Sequence, residues 1–149
     1  MDAEEAIARE GIRELVARYN RFGDSGRLRE LTELFCEDAV LELEGARYEG
    51  RVAIESMLTA AAAETRADAA RSIRHFVATH SIDVLAETRA EGRCYFLVLT
   101  EQGVDHWGRY ADVYRNEGER WCFASRRVTV DGQVAGGWAE RTRARLDRN

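Results

Sequence analysis

The stretch from Ile73 to Asp131, IRHFVATHSIDVLAETRAEGRCYFLVLTEQGVDHWGRYADVYRNEGERWCFASRRVTVD, decides the fold. Three short connections, Glu87-Thr88-Arg89, Gln102-Gly103-Val104 and Glu117-Gly118-Glu119, divide it into segments. The segments run from Ile73 to Ala86, Ala90 to Glu101, Asp105 to Asn116 and Arg120 to Asp131. Each carries the apolar and polar alternation of a strand, and connections this short join antiparallel neighbours, so the spacing predicts a meander. The chain contains no proline to interrupt such a ladder. Cys94 to Leu99 is apolar on both alternations, which predicts a central strand covered on both faces. Helices supply one cover, and a second subunit is the simplest source of the other.

Upstream the period changes. Ala8, Ile12, Leu15, Val16 and Tyr19 recur at spacings of three and four, predicting a helix from about Asp2 to Arg21 with Tyr19 on its inward stripe. Phe22-Gly23-Asp24-Ser25-Gly26 breaks that helix, and Asp24 or Ser25 is placed to cap a second one, Arg27 to Leu34. Ala39 to Leu43 alternates as a strand and turns at Glu44-Gly45 into Ala46 to Tyr48. Gly50 then opens a third helix, Arg51 to Arg66. Three helices followed by a strongly bent antiparallel sheet make an α+β architecture with a pocket where the sheet curls around the helices. Residues 1–131 form the domain, and 132–149 read as a basic, weakly amphipathic tail, flexible or docked on the surface.

Composition narrows the function. At 149 residues the chain is sized for one domain, and no apolar run approaches the roughly 20 residues of a membrane helix. An acidic start, Met1-Asp2-Ala3-Glu4-Glu5, lacks the features of a secretory signal, so a cytoplasmic location is expected. A net charge of -5 opposes binding to nucleic-acid phosphates. Cys36, Cys94 and Cys122 are odd in number and widely spaced, which suits reduced core thiols. No histidine or carboxylate spacing matches a metal site, and no glycine-rich phosphate loop is present, so neither metal nor cofactor is expected.

The chemistry lies in Tyr19, Asp24 and His75. A carboxylate that holds one imidazole nitrogen, an imidazole that moves a proton with the other, and a phenol form a general acid/base set that needs no nucleophilic serine or cysteine. The residues alone leave Asp24 open as a helix cap and His75 open as a core histidine. His80, five residues on, falls on the opposite alternation from His75 unless a bulge intervenes, and is read as structural. His106 and Tyr110 share one alternation with Gly108, Asp112 and Tyr114, and could bind a polar substrate group or sit near solvent. Trp107 and Phe96 are candidates for pocket wall or for plain core. Of Arg126 and Arg127, alternation sends one inward, to bind a substrate oxygen or an acidic side chain.

Several segments together resemble the nuclear transport factor 2-like superfamily in its SnoaL-like branch. They are the helix, Asp-containing break and helix, then Phe35-Cys36-Glu37-Asp38-Ala39-Val40, Tyr48-Glu49-Gly50-Arg51 and the hairpin Gly118-Glu119-Arg120-Trp121. The resemblance spans about Glu5 to Asp131 and implies a cone-shaped roll of curved mixed sheet around three helices. Within the superfamily, Tyr19, Asp24 and His75 are similar to the pattern of the scytalone dehydratase, bile acid 7α-dehydratase and dehydrochlorinase group. That similarity implies His75 as proton-abstracting base, Asp24 as its holder, and Tyr19 as hydrogen-bond donor to a substrate oxygen. It also implies a last-strand arginine near the site.

The expected function is a cofactor-independent lyase or isomerase for a small hydrophobic cyclic compound, acting as a homodimer or higher homo-oligomer. Epoxide hydrolysis or cyclisation would use the same residue types. A non-catalytic ligand-binding or dimerisation module is the reading from another class.

Overall fold

A computed structural model describes residues 1–148. Among them are four helices, α1 (Ala3–Asp24), α2 (Leu28–Glu33), α3 (Arg51–Ala67) and α4 (Trp138–Leu146). The six strands are β1 (Phe35–Leu43), β2 (Ala46–Glu49), β3 (Arg74–Ala86), β4 (Arg89–Thr100), β5 (Gly103–Asn116) and β6 (Trp121–Gln133). They form one curved, unclosed sheet in the order β2-β1-β6-β5-β4-β3. The β3–β6 meander is antiparallel as expected, and the parallel pairing of β1 with β6 makes the sheet mixed.

α1 starts where Asp2 accepts the Glu5 N–H at 2.8 Å, with Glu4 and Glu5 in the first turn suiting the positive end of the helix. It buries Ile12, Leu15, Val16 and Asn20 along one stripe. The helix does not end at Arg21. It continues through Gly23 to Asp24, and Gly26, with φ at 71°, supplies the left-handed residue that stops it. Asp24 therefore does not cap α2, whose N-cap is Arg27 with no side-chain cap bond.

Two clusters fill the space between helices and sheet. Ile12, Leu15, Phe35, Leu41, Ile54 and Phe123 lie in the larger; Cys94, Phe96, Val98 and Tyr110 form the smaller. Burying each large aliphatic or aromatic side chain contributes about 1.5–3 kcal/mol. Gly108 is needed here, because a Cβ would meet the Thr129 carbonyl oxygen and the Phe96 ring. Phe96, its cross-strand neighbour, uses that space to stack on Tyr110 at 4.7 Å.

One expectation is corrected. Cys36 and Cys122 are joined in a disulfide, with Cα atoms 5.6 Å apart, leaving Cys94 as the free, buried cysteine. Widely spaced in sequence, they meet because β1 and β6 begin side by side. On β4 the inner row is buried, while Tyr95, in the middle of the outer row left for a second subunit, is 57% exposed in the single chain. The C-terminal segment takes the docked alternative, as the helix α4. Arg141 and Arg145 both clasp the Asp68 carboxylate, at 2.7 and 2.9 Å, and dock α4. No helix among the described residues is long and apolar enough to cross a membrane.

Candidate active site

The end of α1 meets the beginning of β3, and this junction brings Asp24 to His75. Asp24 Oδ1 lies 2.6 Å from His75 Nδ1, and Oδ2 accepts the His75 backbone N–H at 2.9 Å. Both side chains are largely buried, at 12% and 23% exposure. A carboxylate in the last turn of a helix sits at the dipole's negative end, so the helix itself does not favour Asp24 there; the two bonds to His75 hold it. Because a carboxylate only accepts, Nδ1 carries the hydrogen and Nε2 is left as the basic nitrogen. Nε2 has no partner among the described residues. Asp24 and His75, with Ala17, Asn20 and Arg21, line an open groove of about 660 Å³ between α1 and β3.

A second pair faces the first. His106 Nδ1 lies 2.8 Å from Asp105 Oδ2, and the His106 ring stands edge-on to that of His75, centres 6.4 Å apart. Burial depresses the His106 pKa below its ordinary value, opposed by the Asp105 carboxylate. The same Asp105 accepts the backbone N–H groups of Trp138 at 2.6 Å and Ala139 at 3.0 Å, so it also caps α4. Adjacency of Asp105 and His106 was the available signal in sequence for this pair; nothing local marks the role of Asp105 on α4.

The remaining candidates separate by strand face. His106, Tyr110, Asp112 and Tyr114 all point inward on β5, as one alternation requires. Trp107, between them, lies on the outer face at 41% exposure and is no part of a pocket wall. Phe96 is inward and buried. Arg126 is the inward arginine, bidentate to Asp112 at 2.8 Å for both bonds, while Arg127 points out to Glu42 at 2.7 Å. The Arg126 guanidinium lies 4.2 Å from the Tyr19 ring centre, 3.9 Å from that of Tyr110 and 4.3 Å from that of Phe123. It is enclosed by these rings and leaves Nη1 without a protein partner.

Tyr19 packs edge-on against Phe35, Tyr110 and Phe123. Burial raises its pKa, and the positive charge of Arg126 works against that rise. No hydrogen bond joins Tyr19 to Asp24 or His75 among the described residues. The parity expected of His80 fails, because a bulge between Ala78 and Ser81, with Thr79 at φ 53°, resets the alternation. His80 thus turns inward as His75 does, and its Nε2 lies 3.1 Å from the Tyr114 hydroxyl.

Among the described residues, Cys36, Glu117 and Cys122 place potential metal-ligating atoms within 4.8 Å of one another, with the two sulfurs joined to each other.

A SnoaL-like domain family model matches residues 4–127. No curated protein matches the chain. Several solved structures share its fold. One from Novosphingobium aromaticivorans, provisionally described as a scytalone dehydratase, is 22% identical with a TM-score of 0.78, over 90% of this chain and 91% of that one. A hexachlorocyclohexane dehydrochlorinase from Novosphingobium barchaimii is 16% identical, TM-score 0.75, over 91% and 96%. A nuclear transport factor 2-like protein with a cystatin-like fold, also from Novosphingobium aromaticivorans, is 28% identical, TM-score 0.72, over 88% and 86%.

Proposed function

The chain belongs to the SnoaL-like domain family, and from that premise we propose that it is a lyase or isomerase acting on a small, hydrophobic cyclic substrate by proton abstraction. The observation that carries this reading is the pair of hydrogen bonds from His75 to Asp24, through ring Nδ1 at 2.6 Å and backbone N–H at 2.9 Å. It fixes the ring and the tautomer at once, presenting Nε2 as a base. His75 takes a proton from carbon beside a carbonyl. In elimination the C–H electron pair forms the new double bond as the hydroxyl leaves with the proton returned by the His75 imidazolium, giving water and a neutral imidazole; in isomerisation the imidazolium returns the proton to a different carbon. Asp24 stabilises the imidazolium in between, a contribution on the order of 10² to 10⁴ in rate for such a base. An imidazole is sufficient for this step.

The test needs no knowledge of the physiological substrate. Cyclic ketones and β-hydroxy ketones are incubated in D₂O with the protein, and deuterium incorporation beside the carbonyl is followed by NMR. Exchange that disappears in His75→Ala supports the base; exchange unchanged in that variant, or none from the panel, sinks it.

A separate observation favours a partner on the outer face of the sheet. Phe76, Leu97 and Trp107 form one cross-strand row, with Phe76 53% exposed. The Arg109–Asp131 pair beside them offers both charges to an identical surface. A second copy of the chain suits this face. Light scattering on wild type and Trp107→Asp checks it: a dimer that dissociates in the variant supports the contact, and a monomeric wild type removes it.

A further inference from the structure

We propose that the ligand chamber is the cavity between α4 and the sheet, and that α4, outside the family-matched residues 4–127, completes this chamber and sets its specificity. The cavity has a volume of about 580 Å³, within the range of small-molecule sites. Tyr48 comes from the β1–β2 hairpin, Val128 and Val130 from β6, Trp138 and Leu146 from α4, and His106 stands among them. The other sizeable space, between α1 and β3, has His75, Phe76 and Val77 in its wall, but Arg21, Asp24, Arg27 and Arg74 make it the more highly charged of the two, against Glu44, Arg143 and Asp147 around the α4 cavity.

His106 has its Nδ1 committed to Asp105, and its Nε2 has no partner among the described residues. An imidazole nitrogen in apolar surroundings pays a desolvation cost unless something bonds it, so the chamber suits an occupant with one oxygen on a hydrocarbon frame. The rings of His106 and His75 are neighbours, which places such an occupant beside the proposed base.

The position of α4 is imposed by specific contacts. Nine residues are too few for a helix to persist by itself. Asp105 takes the first-turn N–H groups of Trp138 and Ala139, while Asp68, with its side chain 1% exposed, takes Arg141 and Arg145. Two almost fully buried carboxylates thus fix the helix over the cavity from both ends. Across its mouth Arg143 reaches Glu44 in the β1–β2 turn at 3.4 Å.

The ligand class, a cyclic ketone or hydroxy ketone, rests on the proton-abstraction reading; the location does not. The probe is 1-tetralone, with binding measured by calorimetry on wild type, Ala139→Trp and Ala17→Trp. Ala139 lines the α4 chamber and Ala17 lines the α1 groove, each on a helix surface where added bulk projects into the space in question. Ala139→Trp is expected to weaken 1-tetralone at least tenfold, and Ala17→Trp to leave it within twofold. Thr142→Phe, one turn further along the chamber wall, repeats the test should Ala139→Trp unfold in circular dichroism. Blockage by Ala17→Trp alone, equal effects of both, or no binding to wild type overturns the proposal. His75→Ala separates the two readings: loss of deuterium exchange with unchanged 1-tetralone binding keeps both, whereas unchanged exchange removes the base and leaves the chamber standing.

Discussion

Arg126 and Asp112 face each other as cross-strand neighbours on β6 and β5, joined by two hydrogen bonds of 2.8 Å with neither side chain exposed. Charge neutralisation at this pair lets a guanidinium sit beneath three aromatic rings in the core. Proximity to Asp112 keeps Arg126 firmly charged against the opposing effect of burial.

Breaking that pair from one side strands a buried charge. Asp112→Ala is therefore expected to destabilise the fold by about 3–5 kcal/mol, read from urea denaturation, whereas Arg126→Met with Asp112→Leu costs much less. A double variant as damaged as the single would show that packing shape, not charge compensation, matters here.

At the proposed site, Asp24→Asn keeps the shape but loses the acceptor pair that sets the His75 tautomer. Deuterium exchange should fall on the order of 10² to 10⁴ with little change in melting temperature, and His75→Ala combined with Asp24→Asn should add little to either alone. Additive losses would mean the two residues do not act as a unit.

Acid should weaken the protein in two stages. Burial holds the pKa values of His80 and His106 below the ordinary 6.5. Asp112 opposes this at His80 and Asp105 at His106, while nearby guanidinium groups reinforce it, Arg126 and Arg13 at His80 and Arg143 at His106. The unfolded chain then binds protons that the fold does not, so stability declines as pH drops below about 6.5. Asp68 shifts down, chiefly through its hydrogen bond from Arg141, so its stabilisation is complete above the ordinary 3.8 and lost as pH falls below it. Thermal melts from pH 8 to pH 3 should show the first stage and the onset of the second, and Asp68→Asn should diminish the second.

Thiol titration checks the cysteine arrangement. Cys94 is buried, which pushes its pKa up to about 11, and should not react in the folded state. Denaturant without reductant should expose one thiol, and reductant should release three, following the Cys36–Cys122 bond. Three reactive thiols in denaturant alone would mean no disulfide forms in solution. If it forms, its closure of a separation of 86 residues makes a reductant-induced loss of about 2–5 kcal/mol the expected cost.

The order of elements from α1 to β6, the inward stripe of α1 and the shared row of His106, Tyr110, Asp112 and Tyr114 were legible in the chain, because helix and strand periods are local properties of the backbone; that this row turns inward, and that α4 follows β6, were not. The alternation also said that one of Arg126 and Arg127 turns in; only the pairing of β6 with β5 chose Arg126, by setting it opposite Asp112. His80 escaped the same rule because a one-residue bulge at Thr79 has no signature in the alternation itself.

The joining of Asp24 to His75, of Cys36 to Cys122 and of Asp68 to Arg141 and Arg145 belongs to the tertiary structure. Each links residues brought together by sheet curvature and helix docking, and many residue pairs of the same types occur in the sequence without meeting. Periodicity thus determined which residues share a face. Packing of α1 against β3 and of α4 against the sheet decided which inward groups touch, because that depends on distances no local pattern encodes.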